Sequence, residues 1–150
     1  LFRDLELDMI GVGPYLPHPG TPLGRRAEEL RAPEGRQVPN SELMTYKVVA
    51  LTRLVCPWAN IPSTTALATV NRAEGRELGL MRGANVVMPN LTPAKYRPLY
   101  EIYPSKVCID EDSEQCRFCI HRRVASIGRK VGTGRGDSRK HETATPRRPG

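Results

Sequence analysis

The sequence predicts an α/β fold with a parallel sheet, because three short apolar stretches alternate with stretches of helical periodicity. The apolar stretches cover about 5–13, 58–65 and 84–88. This alternation indicates right-handed βαβ units, in which consecutive strands run in one direction. Three such βαβ units are too few to bury both faces of the sheet that they form. We therefore interpret them as the last strands of a (β/α)8 barrel, whose functional groups lie at the carboxyl ends of the strands.

The first strand and the loop after it have different compositions. Residues 5–13 (LELDMIGVG) are apolar and end in glycines, which is typical of a short buried strand. Residues 14–40 are rich in proline, glycine and charge, and they are longer than an ordinary connector. Loops of this length usually carry a function or are disordered.

Two helices are expected between the first and third strands. Asn40 or Ser41 can cap the first of them, which a broad apolar face continues until Pro57 stops it. After the second strand, Asn71 opens another helix, with Glu74 placed three residues on as in a capping box. The third strand follows the glycine that ends this helix.

The last third of the chain contains two further helices and a tail. Thr92 and Pro93 begin a helix with proline at its first position, and 113–127 forms the final helix. The tail after it is rich in glycine, proline and arginine, which predicts disorder. The predicted units are a partial barrel, a cysteine segment and a basic disordered tail, at 1–104, 105–128 and 129–150.

The net charge of +7 belongs to the end of the chain. Up to Ile120 there are 14 basic and 14 acidic residues, whereas from His121 onward there are nine basic and two acidic residues. The body is therefore neutral and has only 5% aromatic residues, which argues against a nucleic-acid surface. No apolar run approaches the roughly 20 residues of a membrane span.

Three cysteines form the strongest chemical signal in the chain. Cys108, Cys116 and Cys119 stand as C-x7-C-x2-C within a charged segment. A C-x-x-C pair at a helix start places two thiols on one face, and a soft metal or an iron–sulfur cluster needs several converging thiolates. Three small buried thiols are the alternative, as is a zinc site with His121 as fourth ligand. Cys56 fits none of these sites and is most simply a buried small hydrophobe.

The N-terminal sequence carries no visible export signal, since it opens on Leu1 without a basic region or an apolar core. Clustered cysteines without such a signal favour metal binding in a reducing compartment, so we expect a cytoplasmic location. The opening residues run directly into a strand, which suggests a fragment of a longer protein.

Four blocks of this sequence resemble the C-terminal half of the HydE family of [FeFe]-hydrogenase maturases. They are DMIGVGPYLPHPGTPL, VVALTRLV-PWANIPSTTALAT, GRELGLMRGANVVMPNLTPAKYRPLYEIYP and the C-x7-C-x2-C spacing. These maturases are radical S-adenosylmethionine (SAM) enzymes related to biotin synthase and methylornithine synthase. The family's radical-generating motif, C-x3-C-x2-C, does not occur in this sequence. The resemblance therefore implies a piece of a radical enzyme that is inactive alone.

The resemblance also implies a chemistry for the complete enzyme. A [4Fe–4S] cluster bound to SAM would generate a deoxyadenosyl radical, which would attack a small iron-bound, cysteine-derived substrate during assembly of the hydrogenase cofactor. The implied partners are other hydrogenase maturases and an electron donor, with no nucleic acid and no membrane. Cys108, Cys116 and Cys119 would hold an auxiliary [4Fe–4S] or [2Fe–2S] cluster.

The family pattern assigns five further residues to the mouth of the barrel. Met9 would lie near the adenosyl group of SAM, and Tyr100 would face the same cavity. Thr64 and Thr65 would line an anion or substrate site, with Met88 beside them. Without the resemblance, the threonines would be read as helix caps or strand-end hydrogen-bonding residues, and the methionines as core.

Two other functions remain open at this point. Another radical-SAM branch, such as a relative of biotin synthase or methylornithine synthase, would share the barrel but lack the cysteine trio. A stand-alone iron–sulfur or zinc module would instead fold and bind metal as a 150-residue monomer.

Overall fold

The computed structural model describes residues 1–33, 35–102, 104–105 and 113–140. Within them the chain forms five α-helices, one 3-10 helix and three short extended segments. The α-helices are α1 Pro22–Arg25, α2 Glu42–Val55, α3 Thr65–Val70, α4 Gly75–Met81 and α5 Ser113–Ser126, and the 3-10 helix is Ala94–Tyr100. No helix in the described ranges is both long enough and apolar enough to cross a membrane.

The three extended segments (8–10, 60–63 and 85–86) lie side by side and run parallel. Met9 pairs with Asn60, and Pro62 pairs with Val86. The Asn60 N–H donates to the Asp8 carbonyl at 2.8 Å, and the Ser63 N–H donates to the Val86 carbonyl at 2.9 Å. The second segment therefore occupies the centre, as the predicted strand order requires, and an α/β arrangement of the chain is confirmed.

The pairing is shorter than the strands that the sequence predicts. Each neighbouring pair of segments is joined by one isolated bridge, so a partial (β/α)8 barrel with continuous strands is not observed in the described residues. Pro62 lies in the central segment and has no N–H to donate, and Gly11 and Gly13, which follow the first segment, have no side chains to pack. Both features limit the extent of a hydrogen-bonded ladder.

One face of the extended segments packs against helices. Ile61 is fully buried there, at 0% exposure, among Val49 of α2, Leu80 of α4 and Val124 of α5. Removing a side chain of this size from water contributes about 1.5–3 kcal/mol to folding. The core therefore joins the central segment to helices that come from all parts of the chain.

Helix α2 begins and ends where the sequence predicts. The Ser41 side chain accepts a hydrogen bond from the Met44 N–H at 3.2 Å, which confirms the predicted cap. Glu42 in the first turn accepts from the Tyr46 hydroxyl at 2.5 Å and from the Asn71 amide at 2.6 Å. Burial and Glu42 raise the pKa of Tyr46, so its hydroxyl remains a donor. Glu42 thus ties α2 to the end of α3.

The single helix predicted after the second strand is two helices. Helix α3 precedes Asn71, and α4 begins only at Gly75. The Asn71 side chain accepts from the Glu74 N–H at 3.0 Å, which is one of the two bonds of the predicted capping box. The reciprocal bond is not formed, because the Asn71 N–H donates to the Leu67 carbonyl at 3.0 Å, and α4 begins at Gly75. The two helices pack closely, since a Cβ added at Gly75 would lie 2.7 Å from the Leu67 carbonyl oxygen.

The helix predicted from Pro93 is a 3-10 helix because it contains Pro98. A proline in this position lacks the N–H of an α-helical turn and collides with the carbonyl of residue i−4. The predicted end of this helix at Tyr103 lies outside the described residues.

Part of the predicted tail contacts the body of the protein. Ser138 is buried and donates to the Trp58 carbonyl at 2.8 Å, and Lys140 pairs with Asp8 at 2.9 Å and also donates to the Glu6 carbonyl. These contacts lie at the amino ends of the first two extended segments. They differ from the disorder predicted for 129–150, of which 141–150 lies outside the described residues.

Helix packing at Gly75 can be tested by one substitution. Gly75→Ala is expected to lower the free energy of unfolding by about 1–3 kcal/mol, because the new Cβ would press on a backbone oxygen that cannot rotate away. Gly132→Ala is the matched control, since its added Cβ meets no described atom within 4 Å. Denaturation followed by circular dichroism measures both variants, and equal stabilities would contradict this packing.

Glu42 gives the fold a predictable dependence on pH. Hydrogen bonds from Tyr46 and then Asn71 hold the pKa of this carboxyl below its ordinary value of 4.5. Its contribution to stability is therefore present above pH 4.5 and is lost as the pH falls through the lowered value. We expect the stability advantage of the wild type over Glu42→Gln to shrink below pH 4.5. A difference in unfolding free energy that is constant with pH would refute this assignment.

Candidate functional site

The face of the extended segments opposite the helices is partly exposed, and we call it the open face. Paired residues of parallel strands point to the same side, and side chains alternate between faces along each segment. A Cβ built at Gly11 would lie 3.8 Å from Pro62 Cγ, and one built at Gly13 would lie 2.8 Å from Thr64 Oγ1. The open face comprises Met9, Gly11, Gly13, Pro62, Thr64, Val86 and Met88.

The register sets the level of each candidate residue along this face. The Met9–Asn60 bridge sets Gly13 level with Thr64, whose side chain a Cβ at Gly13 would contact, and continuing the Pro62–Val86 pairing by two residues would set Met88 level with Thr64. Met9 is aligned with Asn60, four residues or about 13 Å before that edge. The structure therefore brings Gly13 and Thr64 together, places Met88 two residues after the last pairing, and places Met9 deeper on the same face.

The methionines of the open face are not core residues. Met9 is 49% exposed although it pairs with Asn60, and Met88, two residues after the paired Val86, is 50% exposed. Gly11 and Pro62, which belong to the same face, have no long side chains that could cover the two methionines. Their side chains are thus available for contact with a ligand or with further chain, and their predicted roles remain predictions.

Thr64 has a structural role that the sequence alone favours. It is the N-cap of α3, and its hydroxyl oxygen accepts from the Leu67 N–H at 3.3 Å. Thr65 is the first residue of the helix, and its carbonyl accepts from the Thr69 hydroxyl at 2.9 Å. Both threonines lie at the carboxyl end of the central segment, and substrate binding by them remains a prediction.

Arg97 is a buried residue near the third segment that the sequence analysis missed. It is 2% exposed, and its guanidinium donates to the Thr92 carbonyl at 2.6 Å and to the Asn90 carbonyl at 2.9 Å. It therefore fixes the loop that follows Met88. Tyr100, at the end of the same 3-10 helix, is mostly exposed, and its place at the cavity remains a prediction.

The long loop at 14–40 and the first turns of α2 line a pocket that is partly open to solvent and that reaches Gly13. The Tyr15 N–H donates to the Asn40 side chain at 2.8 Å, and that side chain donates back to the Tyr15 carbonyl at 2.6 Å. These two bonds join the ends of the loop. The cavity has a volume of about 1140 Å³ and is lined mainly by apolar groups, including Val12, Pro17, Leu23, Val38, Met44 and Val48.

Helix α5 carries two of the three candidate metal ligands. Cys116 is 1% exposed and Cys119 is half-buried, and neither forms a disulfide. Their spacing places both thiols on one side of the helix. Cys108 lies outside the described residues, and within those residues no group of three or more histidine, cysteine or acidic side chains could hold a metal. Ligand binding by the cysteines therefore remains a prediction.

Arg123 attaches α5 to the turn at 71–74. Its guanidinium pairs with Glu77 at 2.7 Å and donates to the Ala73 carbonyl at 2.9 Å. Burial lowers the pKa of Arg123, but hydrogen bonding to Cys119 and Glu77 outweighs burial, and the net pKa is raised. The arginine is therefore a fixed cation between α4 and the half-buried thiol.

The same turn holds the chain where it enters the cysteine segment. Arg72 donates to the Ser105 carbonyl at 2.7 Å, and the Ser105 N–H donates to Glu101 at 2.9 Å. Ser105 has φ of 59°, in the left-handed region, which costs a residue with a side chain about 1–2 kcal/mol. The two hydrogen bonds offset that cost, so the backbone at Ser105 keeps this left-handed conformation.

The chain is similar to a maturase subunit of an [FeFe] hydrogenase, with 40% identity over 138 residues that cover 92% of the chain. That relative is HydE of Thermotoga maritima, and the match covers 36% of its length. The chain thus spans about a third of the relative that it matches. No protein-family model matches the chain.

The predicted resemblance to HydE is confirmed by this comparison, over nearly the whole chain. The similarity favours a HydE-like segment over the alternatives of another radical-SAM branch or a stand-alone metal module.

The cap at Thr64 leads to a direct prediction. Thr64→Ala is expected to lower the free energy of unfolding by about 1 kcal/mol, because the Leu67 N–H loses its acceptor. Thr64→Ser keeps the hydroxyl and is expected to retain most of that stability. Urea denaturation of both variants gives the comparison. An equal loss in the two variants would show that the methyl group, and not the cap, matters.

Proposed function

We propose that this chain forms part of a HydE-like radical SAM maturase of [FeFe] hydrogenase. In this proposal the extended segments belong to a (β/α)8 barrel, and α5 supplies ligands to an auxiliary iron–sulfur cluster. The observation that carries the proposal is the 40% identity to HydE along 92% of the chain. The whole enzyme's reaction is inferred from that similarity.

The open face supports the barrel. Three parallel segments carry helices on one side, with Ile61 pointing into the helical core, while Thr64 and Met88 on the other side remain accessible. In a (β/α)8 barrel the helices form the outer layer and the opposite faces of the strands line the interior. The open face would then be part of the barrel interior, with its functional edge at the carboxyl ends of the segments.

The residues of the open face suggest a division of roles. If the Pro62–Val86 register continues, Thr64 and Met88 would lie at the same level and contact a substrate at the mouth, with Thr65 and Tyr100 near it. Met9 lies deeper and would pack against SAM. When bound, SAM and its [4Fe–4S] cluster would supply radical chemistry, and these residues would position the reactants and exclude water.

The thiols of α5 fit an auxiliary [4Fe–4S] or [2Fe–2S] cluster. Cys116 and Cys119 are unpaired, lie on one side of the helix and have the soft donor atoms that iron–sulfur clusters require. Arg123, four residues after Cys119, lies on the same side of α5 as this more exposed thiol. Cys108 would be the third ligand.

The similarity to a hydrogenase maturase also suggests the substrate and the partners. We propose that the substrate is a small iron-bound, cysteine-derived molecule, and that the partners are other hydrogenase maturases and an electron donor. A cytoplasmic location would suit the unpaired cysteines, since thiols stay reduced there.

The cluster can be tested by metal analysis of the chain. After anaerobic reconstitution with iron and sulfide, the wild type is expected to retain both elements and to show thiolate-to-iron absorption. Cys119→Ser and Cys108→Ser are expected to lose most of the bound iron, since each removes one ligand. Cys56→Ser is the matched control, because this free cysteine ends α2 and is expected to leave the iron content unchanged.

The competing outcomes are clear. A wild-type chain that folds, as judged by circular dichroism, but retains no iron and sulfide would contradict the cluster. Equal iron loss in Cys56→Ser and Cys119→Ser would show that the metal is bound nonspecifically by thiols.

A further inference from the structure

Residues 129–140, which we call the strap, cross the amino ends of the three extended segments. Arg129 donates to the Ala84 carbonyl at 3.3 Å, next to the third segment. At the other end of the strap, Lys140 pairs with Asp8 of the first segment at 2.9 Å. The strap therefore runs from the third segment to the first, at the end of the segments that lies opposite the predicted substrate site.

The middle of the strap is bonded to the open face. Asn60 is paired with Met9, so its side chain points to the same side as this methionine. That side chain donates to the Gly136 carbonyl at 2.9 Å and accepts from the Asn85 amide at 3.0 Å. The backbone of the strap thus covers the amino end of the open face beside Met9.

The last residues of the strap attach it to Trp58 and Asp8, and we call 138–140 the latch. Ser138 is buried and donates to the Trp58 carbonyl at 2.8 Å, and the Arg139 guanidinium lies 5.3 Å from the Trp58 ring centroid. The Asp8 side chain is 60% exposed in its ion pair with Lys140. Water and salt screen an exposed ion pair, so this contact is a weak one.

A glycine-rich hinge separates the latch from α5. A Cβ built at Gly132, Gly134 or Gly136 would meet no described atom within 4 Å, so little packs around this stretch. Gly134 has φ of 101° and Gly136 has φ of 75°, values that residues with side chains rarely adopt. Before the hinge, the Arg129 N–H donates to the Val124 carbonyl at 3.1 Å. The strap therefore has a fixed start, an unpacked hinge and a polar latch.

We propose that the strap is a hinged closure of the amino end of the open face, which releases at the latch without unfolding the core. A segment held mainly by solvent-accessible polar contacts belongs to the low-stability part of a fold, which opens locally. While the strap is closed, the carboxyl ends of the segments are the route to the open face.

The hinge and the latch follow from contacts within this chain and do not require the proposed function. If the segments belong to a barrel, as that function requires, the closed strap would form its floor. A floor would keep water from reaching the reactants from the amino end.

Trp58 makes release measurable in the full chain, because it is the only tryptophan and the latch lies on it. Acrylamide quenching of its fluorescence reports release. Trypsin cleavage after Arg139 and Lys140, resolved by mass spectrometry, also reports the released fraction when opening is fast. Asp8→Asn removes the ion pair of the latch. Asp4→Asn is the matched control, since this exposed carboxylate pairs with the amino terminus.

A second pair of variants tests the hinge. Gly134→Ala places a side chain at a positive φ, whereas Gly132→Ala does not and is the control. Gly134→Ala is expected to raise the released fraction about five- to thirtyfold, because the closed strap would hold alanine in a strained conformation. Asp8→Asn is expected to raise it about two- to fivefold, as the loss of an exposed ion pair does.

The controls and the core are expected to behave as in the wild type. Asp4→Asn and Gly132→Ala should show wild-type quenching and cleavage, and all four variants should keep the wild-type urea transition followed by circular dichroism. Added salt is expected to release the wild-type strap and to affect Asp8→Asn less, because that variant has no ion pair to screen.

Two results would overturn the inference. Wild-type quenching and cleavage in both Asp8→Asn and Gly134→Ala would show that neither the latch nor the hinge controls the strap. A loss of strap protection that parallels a loss of urea stability would show that the strap is an integral part of the core. Either result leaves the proposed function standing, since that function is tested by iron content, and a chain without iron would leave the strap standing.

Discussion

The parallel pairing of the central extended segment with its two neighbours is the constraint on which the other features depend. Because side chains alternate along an extended chain, the same few residues point Ile61 into the helical core and Thr64 to the open face. A shift of one residue would exchange these faces, exposing Ile61 and burying a hydroxyl. The burial of Ile61 thus fixes the register, and the register brings Gly13 and Thr64 to one edge.

Helix α5 joins this core at a second place with different chemistry. Val124 packs beside Ile61, and one residue earlier Arg123 bonds the turn between α3 and α4. The same turn holds Ser105, where the chain enters the cysteine segment. Apolar packing therefore sets the position of the helix, while directed hydrogen bonds set its rotation. Both are needed if Cys119 is to face a defined environment.

Much of this arrangement could be predicted from local sequence. Ser41 and Pro57 delimit α2 because a cap and a proline act on the backbone next to them, and the apolar stretches place the extended segments. The division between α3 and α4 could not be predicted, since a run as short as TALATV suits a strand or a helix equally. The similarity to HydE could be recognised from the sequence because the matching sequence blocks are distinctive.

Long-range polar contacts could not be predicted from the sequence. Arg123 and Ser138 are ordinary surface residue types, and only the folded chain brings a carboxylate or a carbonyl to meet them. No local sequence pattern predicts such partners, because they come from distant parts of the chain.

The most direct test of the parallel register is a disulfide crosslink between cysteines placed on the first and central segments. Cβ atoms at 13 and 64 would be 3.6 Å apart, within the range for a disulfide. The account predicts that Gly13→Cys with Thr64→Cys crosslinks under mild oxidation, seen by peptide mass spectrometry, whereas Gly11→Cys with Thr64→Cys does not. Crosslinking of the second pair in preference to the first would contradict the register and the open face built on it.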